Sequence, residues 1–125
     1  MLIVRSDGRR LLLWVEAKYT ERFSAKRHRK PGYGRVTGRD GLGFKSGAAD
    51  IAEAAATNQL WRNLMLAQES VSHDIDEAAV VVLTAANDAH ATRAVAGTTA
   101  LLREPEKHLT HVLLEDLIRV ARTQT

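Results

Sequence analysis

Several residue types and patterns are missing from this sequence, and each absence excludes a class of structure or chemistry. The 125 residues contain no cysteine, which excludes disulfides and thiol catalysis and fits a reducing cytoplasm. No apolar run approaches the ~20 residues that a membrane-spanning helix needs. The start, MLIVRSDGRR, has too short an apolar core for a signal peptide. We therefore expect one cytoplasmic domain with no membrane contact, and its 45% hydrophobic residues allow a modest core.

Acidic residues are nearly absent from residues 22 to 45, where Asp40 is the single acid among eight lysines and arginines. The segment also contains five glycines and Pro31. Because glycine and like charges oppose packing, residues 24–47 are predicted to form a basic, flexible, solvent-exposed loop. It is either a solvated surface or a contact to the phosphates of nucleic acid. In the second interpretation the binding residues are Lys26, Arg27, Arg29, Lys30, Arg35 and Arg39.

The apolar pattern predicts the order strand, strand, loop, helix, strand, helix, helix. The Asp7-Gly8 pair between LIVRS and LLLWVEAKY indicates a hairpin with a two-residue loop. Asp50 is predicted to cap a helix that runs to about Gln68. The run AAVVVLT, residues 78–84, is typical of a buried strand.

Two further helices are predicted after that strand. Asn87 or Asp88 can cap a helix through about Leu102. Pro105 suits the first position of a last helix. That helix would carry an apolar stripe formed by Leu109, Val112, Leu113, Leu117 and Val120. These elements predict an α/β fold with a central mixed sheet flanked by helices, and no second domain.

Two opposite charges interrupt the apolar strand at residues 11–18. Side chains alternate along a strand, so Trp14, Glu16 and Lys18 share one face. An unpaired buried charge is costly, so the pair lies at an edge or where a ligand meets it. A hard divalent cation favours a carboxylate ligand, and an ammonium can stabilise a phosphate transition state. The same pattern also fits a structural Glu–Lys pair on a half-exposed strand.

The surrounding sequence resembles the PD-(D/E)XK nuclease superfamily, the restriction-endonuclease-like group that includes bacterial restriction endonucleases. The resemblance rests on DGRRLLLWVEAKYTE, then NQLWRN on a helix, then AAVVVL, and it covers roughly residues 3 to 88. It implies Mg²⁺-dependent hydrolysis of DNA, with Glu16 and the Ala17 carbonyl as metal ligands and Lys18 as the catalytic lysine. It also implies that Gln59 faces the site, with Arg62 or Asn63 one turn further. These helix residues could equally form a plain polar face.

The family has another acid on the strand that pairs with the Glu-x-Lys strand. If Asp7 and Gly8 form the loop, paired residue numbers sum to 15, and the position opposite Glu16 precedes Met1. We therefore expect a single, N-terminally truncated nuclease-like domain over residues 1–125. It would lack the first helix, first strand and first catalytic Asp of the family core, and would be weakly active or inactive.

Three functions remain open at this point. They are a metal-dependent DNA endonuclease, a non-catalytic nucleic-acid-binding module on the same scaffold, and a structural or interaction domain. Metal dependence separates the first from the other two, and salt-dependent binding separates the second from the third. The sequence is also compatible with a homo-oligomer.

Overall fold

Four strands form a mixed sheet in chain order, β1–β2–β3–β4. A computed structural model gives this structure and describes residues 1–18, 22–23, 26–39 and 43–124. The strands are β1 Leu2–Val4, β2 Arg10–Lys18, β3 Glu77–Thr84 and β4 Leu109–Leu113. β1 is antiparallel to β2, whereas β2, β3 and β4 run parallel to one another. The predicted α/β architecture with a mixed sheet is confirmed.

In the described part of the chain, five α-helices and a short 3₁₀ turn connect and flank the strands. They are α1 Tyr33–Thr37, α2 Ala48–Ala52, α3 Asn58–Glu69, α4 Ala89–Thr99 and α5 Leu114–Thr123, with the 3₁₀ turn at Pro105–Lys107. None of these helices is long and apolar enough to cross a membrane.

One face of the sheet carries the core. Helix α3 packs against β2 and β3, and α4 packs beside α3. The β-branched run of β3 alternates, so Val80 and Val82 are fully buried beneath Trp61 and the other apolar residues of α3. None of the described strand residues on the opposite face is buried, and Val15 there is 48% exposed.

The hairpin between β1 and β2 differs from the prediction by one residue. Leu2 pairs with Leu12 and Val4 with Arg10, so paired numbers sum to 14 rather than 15. The loop has three residues, 6–8, because Arg5 N–H bonds to the Arg9 carbonyl and Gly8 adopts a left-handed φ of 86°. Met1 bonds to Leu13, and β2 beyond Leu13 has no partner on that edge among the described residues.

The helix predicted from Asp50 to about Gln68 is broken into α2 and α3. Asp50 lies inside α2, and the residue before that helix is Gly47. The break is stabilised by side chains, since the Thr57 hydroxyl donates to the Ala52 carbonyl and the Asn58 amide donates to the Glu53 carbonyl. These bonds replace helical ones and turn the chain before α3.

The predicted helix after β3 begins where it was predicted, but it ends before the predicted end at about Leu102. Asp88 caps α4 by accepting a bond from the Ala91 N–H, and the helix ends at Thr99.

The last predicted helix is wrong in its first half. Pro105 begins only a 3₁₀ turn, after which β4 pairs with β3 and the chain enters α5 directly. Leu109, Val112 and Leu113 therefore lie in a strand. Their spacing fits the apolar stripe of a helix, but hydrogen bonding to β3 holds them in a strand instead. No residue of α5 is buried, and Leu117 is 48% exposed.

The basic segment is more ordered than an irregular exposed loop. It contains α1, and Thr37 and Phe44 are buried. The indole N–H of Trp61 donates to the Thr37 hydroxyl at 2.9 Å, and Phe44 forms an isolated bridge with Leu102. The expectation of an irregular, exposed loop is wrong at these positions. Residues 24–25 and 40–42 of the predicted loop lie outside the described residues, and the predicted flexibility stays a prediction.

Candidate active site

Glu16 and Lys18 form an ion pair near the end of β2. Lys18 Nζ lies 3.0 Å from Glu16 Oε1, and the two side chains are only 11% and 19% exposed. They point to the covered face, where β3 places Val82 beside Glu16 and Thr84 beside Lys18. The pair is therefore mostly buried, whereas a structural pair on a half-exposed strand would be open to solvent.

Helix α3 supplies two amides to the same carboxylate. Gln59 Nε2 donates to Glu16 Oε1 at 2.9 Å, and Asn63 Nδ2 lies 3.3 Å from Oε2. The two residues are four positions apart, so they project from one helix face. Gln59 thus faces Glu16, the orientation that the family resemblance implies, and its catalytic role stays a prediction. Asn63 also reaches the site, but Arg62 turns aside and its Nε donates to Asn58 Oδ1 at 3.0 Å.

Asn58 fixes the start of α3 and so positions Gln59. This side chain is fully buried, accepts a bond from the His28 N–H at 3.1 Å and donates to the His28 carbonyl at 2.9 Å. A polar residue at a core position of a helix was the sequence signal for this role, but its partner in the basic segment could not be identified.

An aromatic ring shields the ammonium of Lys18. Its Nζ lies 5.2 Å from the centroid of Phe23, within the range of a cation–π contact. Phe23 itself packs against the core. The site is therefore a partly dry environment in which a charge interacts strongly with neighbouring groups.

A comparison with known protein families places the chain in one of them. The family model described as the PD-(D/E)XK nuclease superfamily matches residues 1–125. The chain belongs to the PD-(D/E)XK nuclease superfamily. A search of the curated proteins and a search of the solved structures each gave no match. Proteins of this superfamily act on nucleic acid and generally depend on a divalent metal.

For a PD-(D/E)XK nuclease, the metal-binding donors of this site are few. No group of three or more His, Cys, Asp or Glu side chains that could hold a metal is found in the described part of the chain. Glu16 provides one carboxylate, and the amides of Gln59 and Asn63 can present oxygen if they rotate. This donor set fits a divalent cation loosely, since Mg²⁺ completes its shell with water and substrate phosphate.

The predicted phosphate-binding residues divide into two groups. Arg29 bonds to Asp50 at 2.8 Å and to Glu53 at 3.0 Å, and Arg39 pairs with Glu69. The hydrogen bonds to Asp50 and then Glu53 raise the pKa of Arg29. Of the predicted phosphate-binding residues, Arg27, Lys30 and Arg35 are exposed and make no salt bridge to any described residue, and Lys26 is also exposed.

A polar pair that the sequence did not reveal lies beside the site. Thr84 Oγ1 is 2.6 Å from His111 Nε2, and Thr84 is opposite Lys18 in the sheet. Because the strand that carries His111 was predicted as helix, no sequence signal could bring these two residues together.

Proposed function

We propose that this chain carries the active site of a Mg²⁺-dependent DNA endonuclease, with Glu16, Lys18 and Gln59 as its catalytic residues. The observation that supports this proposal is the buried Glu16–Lys18 pair, held by amides from α3, in a chain of a nuclease superfamily. A buried ionic pair costs desolvation energy, so its presence in a small domain favours a chemical role. A DNA substrate and the absence of cysteine both fit the cytoplasm.

The residues of the site can divide the work of phosphodiester hydrolysis. Glu16 and the Ala17 carbonyl would hold the metal, which when bound polarises the phosphate and acidifies a water molecule. The Lys18 ammonium would orient that water and stabilise the negative charge that develops on the phosphate. Gln59 would fix the orientation of the Glu16 carboxylate.

Basic side chains of the segment after β2 and of α3 would hold the DNA backbone. We assign phosphate contacts to Lys26, Arg27, Lys30, Arg35 and Arg62, and smaller ones to Arg29 and Arg39. The last two already share their charge with carboxylates of α2, α3 and the segment between them. A partly neutralised arginine releases fewer counterions on binding, so it contributes less to affinity.

A non-catalytic DNA-binding module is the second candidate function. The observation that favours it is that both oxygens of Glu16 are bonded, to Lys18, Gln59 and Asn63. With only one carboxylate among the described residues of the site, metal binding competes against these three donors. We therefore expect little Mg²⁺-dependent cleavage by the 125-residue chain alone.

A designed second carboxylate separates the two candidates. Because paired residue numbers in the hairpin sum to 14, the position opposite Glu16 is three places before Met1. A short β-strand added before Met1 can place Asp there, with its Cβ about 4.5–5.5 Å from that of Glu16. The matched control carries Asn at the same position.

Plasmid nicking with Mg²⁺, and with EDTA as a second control, measures the outcome. We expect the Asp-extended chain to nick DNA at least about tenfold faster than the Asn-extended chain, with no nicking in EDTA. Equal, EDTA-insensitive rates would contradict the endonuclease proposal and favour the binding module. Fast nicking by the unextended chain would show that the site needs no second carboxylate.

A further inference from the structure

A small groove opens between α1 and α3, outside the cluster around Glu16. Its volume is about 180 Å³, and it is lined by Tyr33, Val36, Arg62, Met65, Leu66 and Glu69. Two of these residues come from the basic segment and four from the helix that carries Gln59 and Asn63.

The groove lies next to the candidate active site along α3. Arg62 is three positions after Gln59, and Leu66 is three positions after Asn63, so each lies one turn from an amide that bonds to Glu16. One helical turn rises about 5.4 Å, so the groove begins next to the amides of α3 that bond to Glu16. A DNA strand that follows α3 would pass both the Glu16–Lys18 pair and the groove.

The walls of the groove combine an apolar floor with a charged rim. Val36, Met65 and Leu66 form the floor, and Leu66 is 51% exposed. The ring of Tyr33 is held by an edge contact with buried Trp61, with centroids 5.4 Å apart at 85°.

The rim provides charge complementary to phosphate. Arg62 lines the groove and makes no salt bridge with any described residue. Lys30 and Arg35, which flank Tyr33 in the sequence, are exposed and make none either. Glu69 on the same rim is paired with Arg39, which offsets its negative charge. A planar apolar ring attached to phosphates matches both features.

We propose that this groove binds one unpaired nucleobase of DNA, beside a phosphate that contacts Lys18. The inference rests on the proposed function and specifies its substrate. The volume of the groove suits a single base rather than a larger ligand. An apolar cavity of about 150 Å³ holds benzene in another protein, and pockets for drug-sized ligands begin at about 300 Å³. A base stacked in a duplex cannot enter, so single-stranded or locally unpaired DNA is the preferred substrate.

The test measures fluorescence anisotropy of a labelled single-stranded oligodeoxynucleotide in EDTA, compared with an abasic oligonucleotide of the same length. Stacking of a base on an aromatic side chain is worth about 5- to 150-fold in affinity. We expect the unaltered chain to prefer the base-bearing strand by a factor in this range.

Two groove variants and one matched control locate the preference. Leu66→Ala and Tyr33→Leu should each reduce the preference at least about threefold, while affinity for the abasic strand stays unchanged. Leu117→Ala alters a leucine of nearly equal exposure, 48% against 51%, on a different helix and should leave the preference intact. Leu66→Ala keeps the test valid if Tyr33→Leu loosens the packing on Trp61, because Leu66 is half exposed.

The outcomes separate this inference from the proposed function. Equal, salt-dependent binding of both strands would overturn the base-binding groove and leave the phosphate contacts standing. A base preference that survives both groove variants would also overturn it. Binding of neither strand would contradict the proposed function as well.

Discussion

Two ion-paired clusters in this chain have similar bond lengths and different surroundings. The Lys18–Glu16 pair has a distance of 3.0 Å, and Arg29 lies 2.8 Å from Asp50 and 3.0 Å from Glu53. The side chains of the first pair are 11% and 19% exposed, whereas Arg29 and Asp50 are 36% and 80% exposed. Among the described residues, the first cluster alone also receives hydrogen bonds from helix amides, those of half-buried Gln59 and buried Asn63.

The difference shows that distance alone does not reveal the role of a charge pair. An exposed pair contributes about 0–1 kcal/mol and is screened by salt. A buried pair costs desolvation energy, and removal of one partner leaves an uncompensated charge. The exposed cluster is thus a set of weak surface salt bridges that partly neutralise the charge of Arg29. The buried cluster is poised to interact with a metal or a phosphate.

The largest effect is expected when one charge of each cluster is removed. Lys18→Met should lower the free energy of unfolding by roughly 2–4 kcal/mol, because Glu16 stays buried without its cation. Arg29→Met should cost much less, because solvent screens its exposed ion pairs with Asp50 and Glu53. Urea unfolding followed by circular dichroism measures both. Equal losses in the two variants would remove the distinction between the clusters.

A second substitution tests whether the unpaired charge of Glu16 causes the loss of stability in Lys18→Met. Adding Glu16→Gln to Lys18→Met removes the orphaned charge, so the double variant should regain most of the lost stability. A double variant no more stable than Lys18→Met would show that packing, rather than charge, explains the loss.

A second effect concerns DNA affinity, which should depend on whether a basic side chain is already paired with a carboxylate. Replacing Arg27, Lys30 and Arg35 by alanine should weaken binding of duplex DNA and reduce the slope of log K against log salt by up to about 2.7, at 0.9 per phosphate contact in duplex DNA. The control replaces the carboxylate-paired Arg29 and Arg39, and should change the slope by less than about 1. DNA-binding titrations at several salt concentrations measure both slopes. A larger change of slope in the Arg29 and Arg39 control would show that these two residues make the main phosphate contacts.

A smaller effect is expected for the amides of α3. Gln59→Ala removes a bond to Glu16 and should cost about 1 kcal/mol of stability. Gln68→Ala on the same helix is the control. The Gln68 side chain makes no comparable contact with a described residue, so its loss should leave stability nearly unchanged. Thermal unfolding compares the two, and a neutral Gln59→Ala would indicate that the bond to Glu16 adds no stability.

The smallest effect concerns a half-buried histidine. Burial lowers the pKa of His108, with Glu104 opposing this shift and Lys107 adding to it. Because its pKa is below the unfolded value of about 6.5, the unfolded chain binds more protons in acid. Its contribution to stability is present above about pH 6.5 and is lost as the pH falls through the folded pKa. His108→Gln should flatten the stability profile between about pH 7 and 5, whereas an unchanged profile would assign the slope to other groups.

The sequence was sufficient for the parts of the site that depend on local periodicity. Strand alternation places Glu16 and Lys18 on one face, and the helical spacing of Gln59 and Asn63 makes both available to a single carboxylate. The roles in catalysis come from the family resemblance and stay predictions. Burial of the pair could not be predicted, since it depends on α3 and Phe23, which are distant in the chain.

The errors arise where tertiary contacts override local patterns. Leu109, Val112 and Leu113 have helical spacing, yet pairing with β3 makes them a strand. The buried Asn58 interrupts an alanine-rich run that propensity alone would make helical. Trp61 and its bond to Thr37 anchor a glycine-rich segment whose composition suggested a loop.

The most direct test of the central claim combines two measurements on one pair of proteins. In the Asp-extended chain, Lys18→Met should reduce Mg²⁺-dependent plasmid nicking to background while the Kd for DNA changes by less than about threefold. This separation is expected because the lysine stabilises the transition state more than the bound ground state. Nicking that persists in Lys18→Met would contradict the assignment of the active site to this cluster, and so would parallel losses of nicking and binding.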